Sequence, residues 1–314
     1  MKYESLPLAK INLKDERFRT SFHPDLGRLV ISIKAVGLLS PPLIRQADKG
    51  FVLISGWKRV LACRRIGLSS INVLVTEEKD DLRIFLMALH ENLATREINL
   101  VEKAEILRKL LGFGVEKKTL LKCYLPLLSF PATVAHIELI LAISEAEPAV
   151  KKFVQKKDAP LPIVQSLLRF TPGERKLLLP LLRPLGQNKQ KEVLEDLWET
   201  SRRDEVTLRE ILKDKEIRQV LDSPKLPPIQ KAEKIRLSLK RKRYPQLSSW
   251  QDAFDLTLRK ARWPKEIAIQ PAPFFEDEAI SASFRFKDIK EFRAWVKKLQ
   301  EMAAKEEISG LFKR

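Results

Sequence analysis

Thiol chemistry is nearly absent from this chain. Its 314 residues include two cysteines, Cys63 and Cys123, which form no Cys-x-x-Cys pair and stand in apolar surroundings. They read as ordinary buried thiols of a reducing compartment. Histidine is as scarce, and His23, His90 and His136 do not fall at metal-ligand spacing, so no zinc site is expected. No apolar run approaches the roughly 18 residues of a membrane-spanning helix. The first residues, MKYE, lack the charged-then-apolar pattern of a secretory signal. No internal repeat or low-complexity tract interrupts the chain. These absences point to a cytoplasmic protein without a membrane partner.

Positive charge is abundant. There are 59 Lys and Arg against 41 Asp and Glu, a net charge of +18. A surplus of that size favours a polyanionic partner, because each neutralised phosphate releases counterions. Nucleic acid comes first, and an anionic membrane surface or an acidic protein second. Hydrophobic residues make up 44% of the chain, which excludes intrinsic disorder, and the length allows two or three domains.

Patterning divides the chain into regions. Residues 1–98 alternate helical and strand signals: a helix over 25–36 stopped by Gly37, strands at 43–44 and 51–54, a helix over 57–66 stopped by Gly67, a strand over 71–75 and a helix over 82–93. Residues 99–221 read as all-helical. Asn99 and Glu102 have the spacing of a capping box, and prolines cut the following stretch into short helices. Residues 222–230 read as a proline-marked linker. Residues 231–314 open with a basic helix over 231–243 and continue as a helix over about 249–259, strands at 267–269 and 280–286, and a helix over 290–302. The expected fold is therefore a multidomain α+β protein: an α/β head, an all-α middle and a small α+β tail.

Three short motifs carry chemistry. Gly56-Trp57-Lys58-Arg59 stands where a strand gives way to a helix, so free N–H groups, the helix dipole and two cations meet in one turn that suits a phosphate. A solvated helix start explains the same pattern. Glu91-Asn92 offers hard oxygen donors of the kind that Mg²⁺ takes alongside phosphates, or else two solvated polar residues at a helix end. Arg19, in the run Glu16-Arg17-Phe18-Arg19, has the fork to grip a phosphate. In the tail, Lys234, Lys240, Arg241, Lys242 and Arg243 form a basic run suited to sequence-independent phosphate contact, or a solvated helix face. The tail's aromatic residues, among them Trp250, Phe254, Phe274, Phe275, Phe284, Phe286, Phe292 and Trp295, suit a core and dimer interface better than a stacking platform for single strands.

The order of these motifs resembles one family. Residues 56–67, GWKRVLACRRIG, resemble the ParB segment that opens GERR. Residues 32–42, SIKAVGLLSPP, are similar to its SI…GLLQP stretch. Arg19 and Phe22 match its early QPR…F motif. Residues 91–104, ENLATREINLVEKA, align without a gap to ENLQREDLNPIEEA. The tail is more weakly similar to the family's dimerisation domain. The resemblance implies a ParB/sulfiredoxin-like head that binds cytidine triphosphate and Mg²⁺ as a clamp on DNA. Gly56, Lys58, Arg59, Arg19, Asn92 and Arg96 would hold the nucleotide. Glu91 and Asn92 would face the metal, with Glu91 the catalytic group of a weak CTPase. It also implies a homodimer joined through the tail, association with the nucleoid, and a ParA-type ATPase as partner. That ATPase engages the region before the head, where about five residues precede the first strand expected here.

Departures from the pattern keep other readings open. Trp57 replaces the family's Glu, and Thr95 its Arg. The segment that corresponds to the helix-turn-helix, residues 124–131, is apolar with two prolines and has no residue suited to base edges, so operator reading is not expected from it. Leu127, Leu128 and Phe130 there are core or a docking surface. Sulfiredoxins share the head fold but place a cysteine in the phosphate turn, which is absent here. A small-molecule kinase on the same fold, with Glu91 as base, and an adaptor whose head has lost its ligand are the alternatives.

Overall fold

The computed structural model describes residues 1–48, 50–272 and 279–312. Phe274 and Phe275 lie outside them. The chain divides into two compact units, Met1–Arg183 and Pro184–Arg314.

The first unit begins with a five-stranded mixed sheet in the order β1-β5-β3-β4-β2. Its strands are β1 (Lys2–Pro7), β2 (Ile11–Asn12), β3 (Leu43–Ala47), β4 (Gly50–Ser55) and β5 (Ser70–Thr76). β1 pairs antiparallel with β5, β5 parallel with β3, β3 antiparallel with β4, and β4 parallel with β2. Helices α1 (Gly27–Val36) and α2 (Trp57–Ile66) pack on each other beside this sheet. Ile44 and Leu53 from the sheet and Val60 and Cys63 from α2 are fully buried. Each such aliphatic side chain contributes about 1.5–3 kcal/mol on leaving water. Cys123, expected to be buried, is exposed.

Helices α3 (Asp81–Thr95) and α4 (Leu100–Gly112) carry the chain out of the sheet region. Asn99 caps α4 in a capping box, with each partner of the Asn99–Glu102 pair bonded to the other's backbone N–H. The boundary expected at residue 98 falls inside this compact unit, and the reason is Glu102. Its side chain is 2% exposed. It accepts from the backbone N–H of Phe22 at 3.2 Å, 80 positions earlier in the chain, and from Arg96 Nη1 at 2.6 Å. Gln155 adds a second tie, donating to the Phe22 carbonyl at 2.7 Å. The strand-rich region and the first helices after it are fastened together.

After α4, Lys117–Thr119, a π turn over Leu120–Tyr124 and Leu125–Leu127 follow as one helical stretch. The segment that corresponds to a helix-turn-helix contributes two residues to the core. Leu125 and Leu128 are buried, Leu127 is half exposed, and Phe130 lies under Lys103 Nζ, 5.0 Å from its ring centre. Helices Val134–Glu145, Pro148–Lys157, Leu161–Leu168 and Pro172–Leu182 complete the unit, with Pro148, Pro162 and Pro172 in first turns, where a missing N–H costs nothing.

In the second unit the Gln187–Arg203 and Pro228–Arg243 helices pack together. The expected linker is short: residues 223–227 join two helices that touch, and Lys231 Nζ donates to the Leu221 carbonyl at 2.7 Å. The tail follows as a Pro245–Lys260 helix, a two-stranded hairpin of β6 (Ala268–Pro271) with β7 (Ile280–Ser283), and an Ile289–Ala303 helix. β7 is shorter than the strand expected over 280–286. Phe284, Phe286 and Phe292 gather with ring centres 4.9–6.2 Å apart.

Removing Glu102 leaves the half-buried Arg96 charge unmatched and the Phe22 N–H unbonded. Glu102→Ala is expected to cost about 3 kcal/mol of stability, read by urea unfolding. A change under about 0.5 kcal/mol, the scale of an ordinary surface substitution, would show that the tie is dispensable.

Candidate functional site

At the junction of β4 and α2, Gly56 holds a left-handed conformation with φ 88°. A Cβ there would stand 2.8 Å from Pro42 Cβ and 2.9 Å from Arg59 Nε. The glycine therefore makes room for the guanidinium three residues on. Arg59 donates through Nη1 to the carbonyls of Ser40 and Pro41, and through Nη2 to Glu91 Oε1 at 2.7 Å. One side chain thereby links the start of α2, the turn before β3 and the far end of α3.

Beside this link lies a cavity of about 270 Å³. Gly56, Lys58, Arg59, Glu91, Asn92 and Arg96 all line it. Residues from two separate sequence motifs thus share one wall. Three of its lining side chains are cationic and one, Glu91, is a carboxylate. Lys58 is half-buried, and its pKa is lowered by burial first and by the neighbouring Arg96 charge second. Four side-chain atoms of lining residues are buried without a hydrogen-bond partner: Ser21 Oγ, Ser55 Oγ, Trp57 Nε1 and Arg96 Nη2. Buried polar groups are nearly always bonded. All four belong to residues that line the cavity and can donate, so a small shift of side chains on binding would offer them to an acceptor-rich partner.

Arg19 is placed elsewhere. It lines a neighbouring cleft of about 740 Å³ that shares Thr20 and Ser21 with the first. Its guanidinium donates to Glu16 and to the Ser21 carbonyl and lies over Trp57, 5.2 Å from the ring centre. It acts on the cavity by holding the Trp57 ring and the Ser21 backbone. The turn that carries it is anchored by Lys109, whose ammonium donates to the carbonyls of Glu16 and Arg19.

The two residues expected to face a metal are committed to other bonds. Glu91 Oε1 accepts from Arg59, and Asn92 Oδ1 accepts from Arg96 Nε at 2.9 Å while its amide donates to the Ala88 carbonyl at 2.7 Å. Among the described residues no three His, Cys, Asp or Glu side chains gather as a metal cluster. Glu91, expected as a general base, has one carboxylate oxygen bonded to Arg59.

Residues 2–93 match the family model of the ParB N-terminal domain. The head of the chain is ParB-like. A probable chromosome-partitioning protein ParB of Xylella fastidiosa is 30% identical over 184 residues, 57% of this chain and 53% of that protein. A second, of Chlamydia trachomatis, is 28% identical over 207 residues, 49% of this chain and 74% of its own length. The chain spans about half the length of the first curated relatives it matches. Among solved structures, C-terminally truncated ParB of Caulobacter crescentus complexed with CTP-gamma-S is 18% identical, covering 57% of this chain and 97% of that one, with a TM-score of 0.27.

The basic run of the tail is used unevenly. Lys234, Lys240 and Arg241 are exposed, Arg241 with a loose contact to Asp252 at 3.8 Å. Lys242 pairs with Asp214. Arg243 turns inward, 18% exposed, against Asp196 at 2.8 Å and Glu199 at 2.6 Å. Burial raises the pKa of Asp196 in spite of this partner. Arg203 donates to the carbonyls of Lys242 and Arg243 and closes the helix end. The last two cations of the run are structural.

Two features of the site escape sequence reading. Ser21, Ser55 and Trp57 as donors have no motif, since their role depends on chain segments that meet only in the fold. Glu102 reads as a cap and nothing more. Lys109 gives a pH test. Burial and the nearby Arg108 lower its pKa to about 8 from an ordinary 10.5. Between those values the unfolded chain binds more protons, so this group's contribution raises stability as pH climbs from about 8 to about 10.5. Relative to Lys109→Met, wild type should gain stability over that window in thermal melts. A flat difference would contradict the assignment.

Proposed function

We propose that the cavity beside α2 binds a nucleoside triphosphate, with CTP the nucleotide that the family resemblance favours, and that the chain works in chromosome or plasmid partition on the nucleoid. The observation that carries the nucleotide reading is the set of four orphaned donors among the three cations of one wall. An acceptor-only, multiply charged ligand satisfies both at once, since polyphosphate oxygens accept hydrogen bonds and balance the charge. Arg59 serves as the main anchor, with Lys58 and Arg96 beside it.

DNA contact is assigned to the exposed part of the basic run, Lys234, Lys240 and Arg241, as sequence-independent phosphate binding. The Val134–Glu145 helix, which follows the apolar segment, contains no Lys, Arg, Asn or Gln, the residues that pair with base edges, and its exposed residues include Glu138 and Glu145. A strong operator preference from that helix is not part of the proposal. The Ile289–Ala303 helix keeps Phe292, Trp295, Val296 and Leu299 half-exposed, with Met302 its one buried residue. A second copy of the tail would cover that face, in keeping with a homodimer.

Isothermal titration with CTP, ATP and GTP, each with and without Mg²⁺, tests the nucleotide reading. CTP is expected to bind in the micromolar range, about −8 kcal/mol, and Arg59→Ala to abolish it. Failure of every nucleotide to bind would falsify the reading. For DNA, the triple change Lys234→Ala, Lys240→Ala, Arg241→Ala should lower the slope of log affinity against log salt by about 2–3, at roughly 0.9 per phosphate contact. An unchanged slope removes this helix from the interface.

A further inference from the structure

We infer that the cavity takes its polyphosphate ligand as a free anion, without a divalent cation, the wall's own cations doing the charge balancing that a metal would do. The inference rests on the nucleotide reading for its ligand class, and on the donor set of the cavity for its content.

A magnesium ion bound with a nucleotide needs one or two hard oxygen ligands from the protein, held free to face it beside the phosphates. The resemblance assigns that task to Glu91 and Asn92. In the fold each already serves a guanidinium. Glu91 Oε1 accepts from Arg59 Nη2 at 2.7 Å, and Asn92 Oδ1 accepts from Arg96 Nε at 2.9 Å. A divalent cation at the Glu91 carboxylate, on Oε1 or on the neighbouring Oε2, or at Asn92 Oδ1 would stand beside a fixed positive charge. At separations of about 4 Å two such charges repel by several kcal/mol in a partly buried site. Arg96 cannot swing aside cheaply, since its Nη1 is held by the buried Glu102 at 2.6 Å and by the Glu97 carbonyl at 3.1 Å.

The remaining wall supports the same conclusion. A metal normally offsets the negative charge of the phosphate chain. Here Arg59 is matched by Glu91 and Arg96 by the buried Glu102, which leaves the charge of Lys58 as the wall's positive excess before any metal arrives. Arg96 Nη2, Trp57 Nε1, Ser21 Oγ and Ser55 Oγ are unsatisfied donors. Of these, Arg96 Nη2 and Trp57 Nε1 can only donate, and a donor-only group solvates an anion but not a cation. Trp57 sharpens the point, because it puts an N–H donor where the family pattern has a glutamate.

The test is titration of the full chain with CTP, and separately with inorganic tripolyphosphate, in excess EDTA and in millimolar Mg²⁺. The inference expects affinity in EDTA within about two-fold of that in Mg²⁺ for whichever ligand binds. A loss of ten-fold or more in EDTA overturns it. Glu91→Gln supplies an opposite-sign check: removing a metal ligand weakens Mg²⁺-dependent binding, whereas removing the carboxylate that competes for Arg59 leaves binding equal or tighter. Weakening by ten-fold or more in a variant that melts as wild type counts against the inference. Tripolyphosphate binding in EDTA with no nucleotide bound keeps the anion site and sinks the nucleotide reading. Absence of binding by either ligand overturns both.

Discussion

A single buried carboxylate organises the ligand-facing half of this protein. Glu102 sits at the third position of α4, accepts from the Asn99 N–H as part of a cap, and also reaches Arg96 and the Phe22 backbone. Burying a carboxylate is costly unless cation and N–H donors surround it. Here they come from three places: the end of α3, the start of α4 and the loop that precedes α1. Meeting that requirement fixes where the three segments stand. Arg96 is thereby set in the cavity wall, and the Thr20–Ser21 segment is held against it. The geometry of the cavity is in this sense a by-product of satisfying one charge.

The same economy governs the surplus of cations. A net charge of +18 suggests a protein coated with free positive charge, but many of the individual side chains are spoken for. Arg59 is spent on two carbonyls and Glu91, Arg243 on Asp196 and Glu199, and Lys109 on two backbone carbonyls. The charge that remains for a polyanion includes Lys58 in the cavity wall and Lys234, Lys240 and Arg241 on the exposed face of the Pro228–Arg243 helix. Fold and function compete for the same residue types, and the ion pairs show which residues went to which.

What could be read from the sequence was local. Gly37 and Gly67 as helix stops, Asn99 with Glu102 as a capping box, and the strand-to-helix switch at Gly56 depend on residues within a few positions of one another, and each is found in the fold. The candidate residues from the Gly56 turn and the α3 end line one cavity because the in-register resemblance carried long-range information that spacing does not. Arg19 was grouped with them by its fork and by the same resemblance, and in the fold it pairs with Glu16 and lies over the Trp57 ring. The second half of Glu102's role was illegible, since Phe22 lies 80 positions away. The tail's basic run misled for a related reason: nothing near Arg243 in sequence announces Asp196, 47 positions earlier, which turns it inward.

The π turn at Leu120–Tyr124 bears on how this chain compares with others. Leu125 donates to the Leu120 carbonyl, five residues back rather than four. One such turn absorbs a single extra residue without ending the helix. Every side chain after it is rotated by about 100° relative to those before, the angle of one helical residue. A comparison that carries residues 117–131 through in one frame takes no account of that rotation. Leu125 and Leu128, the two buried residues of the segment that follows, both stand beyond the turn and so keep the shifted phase.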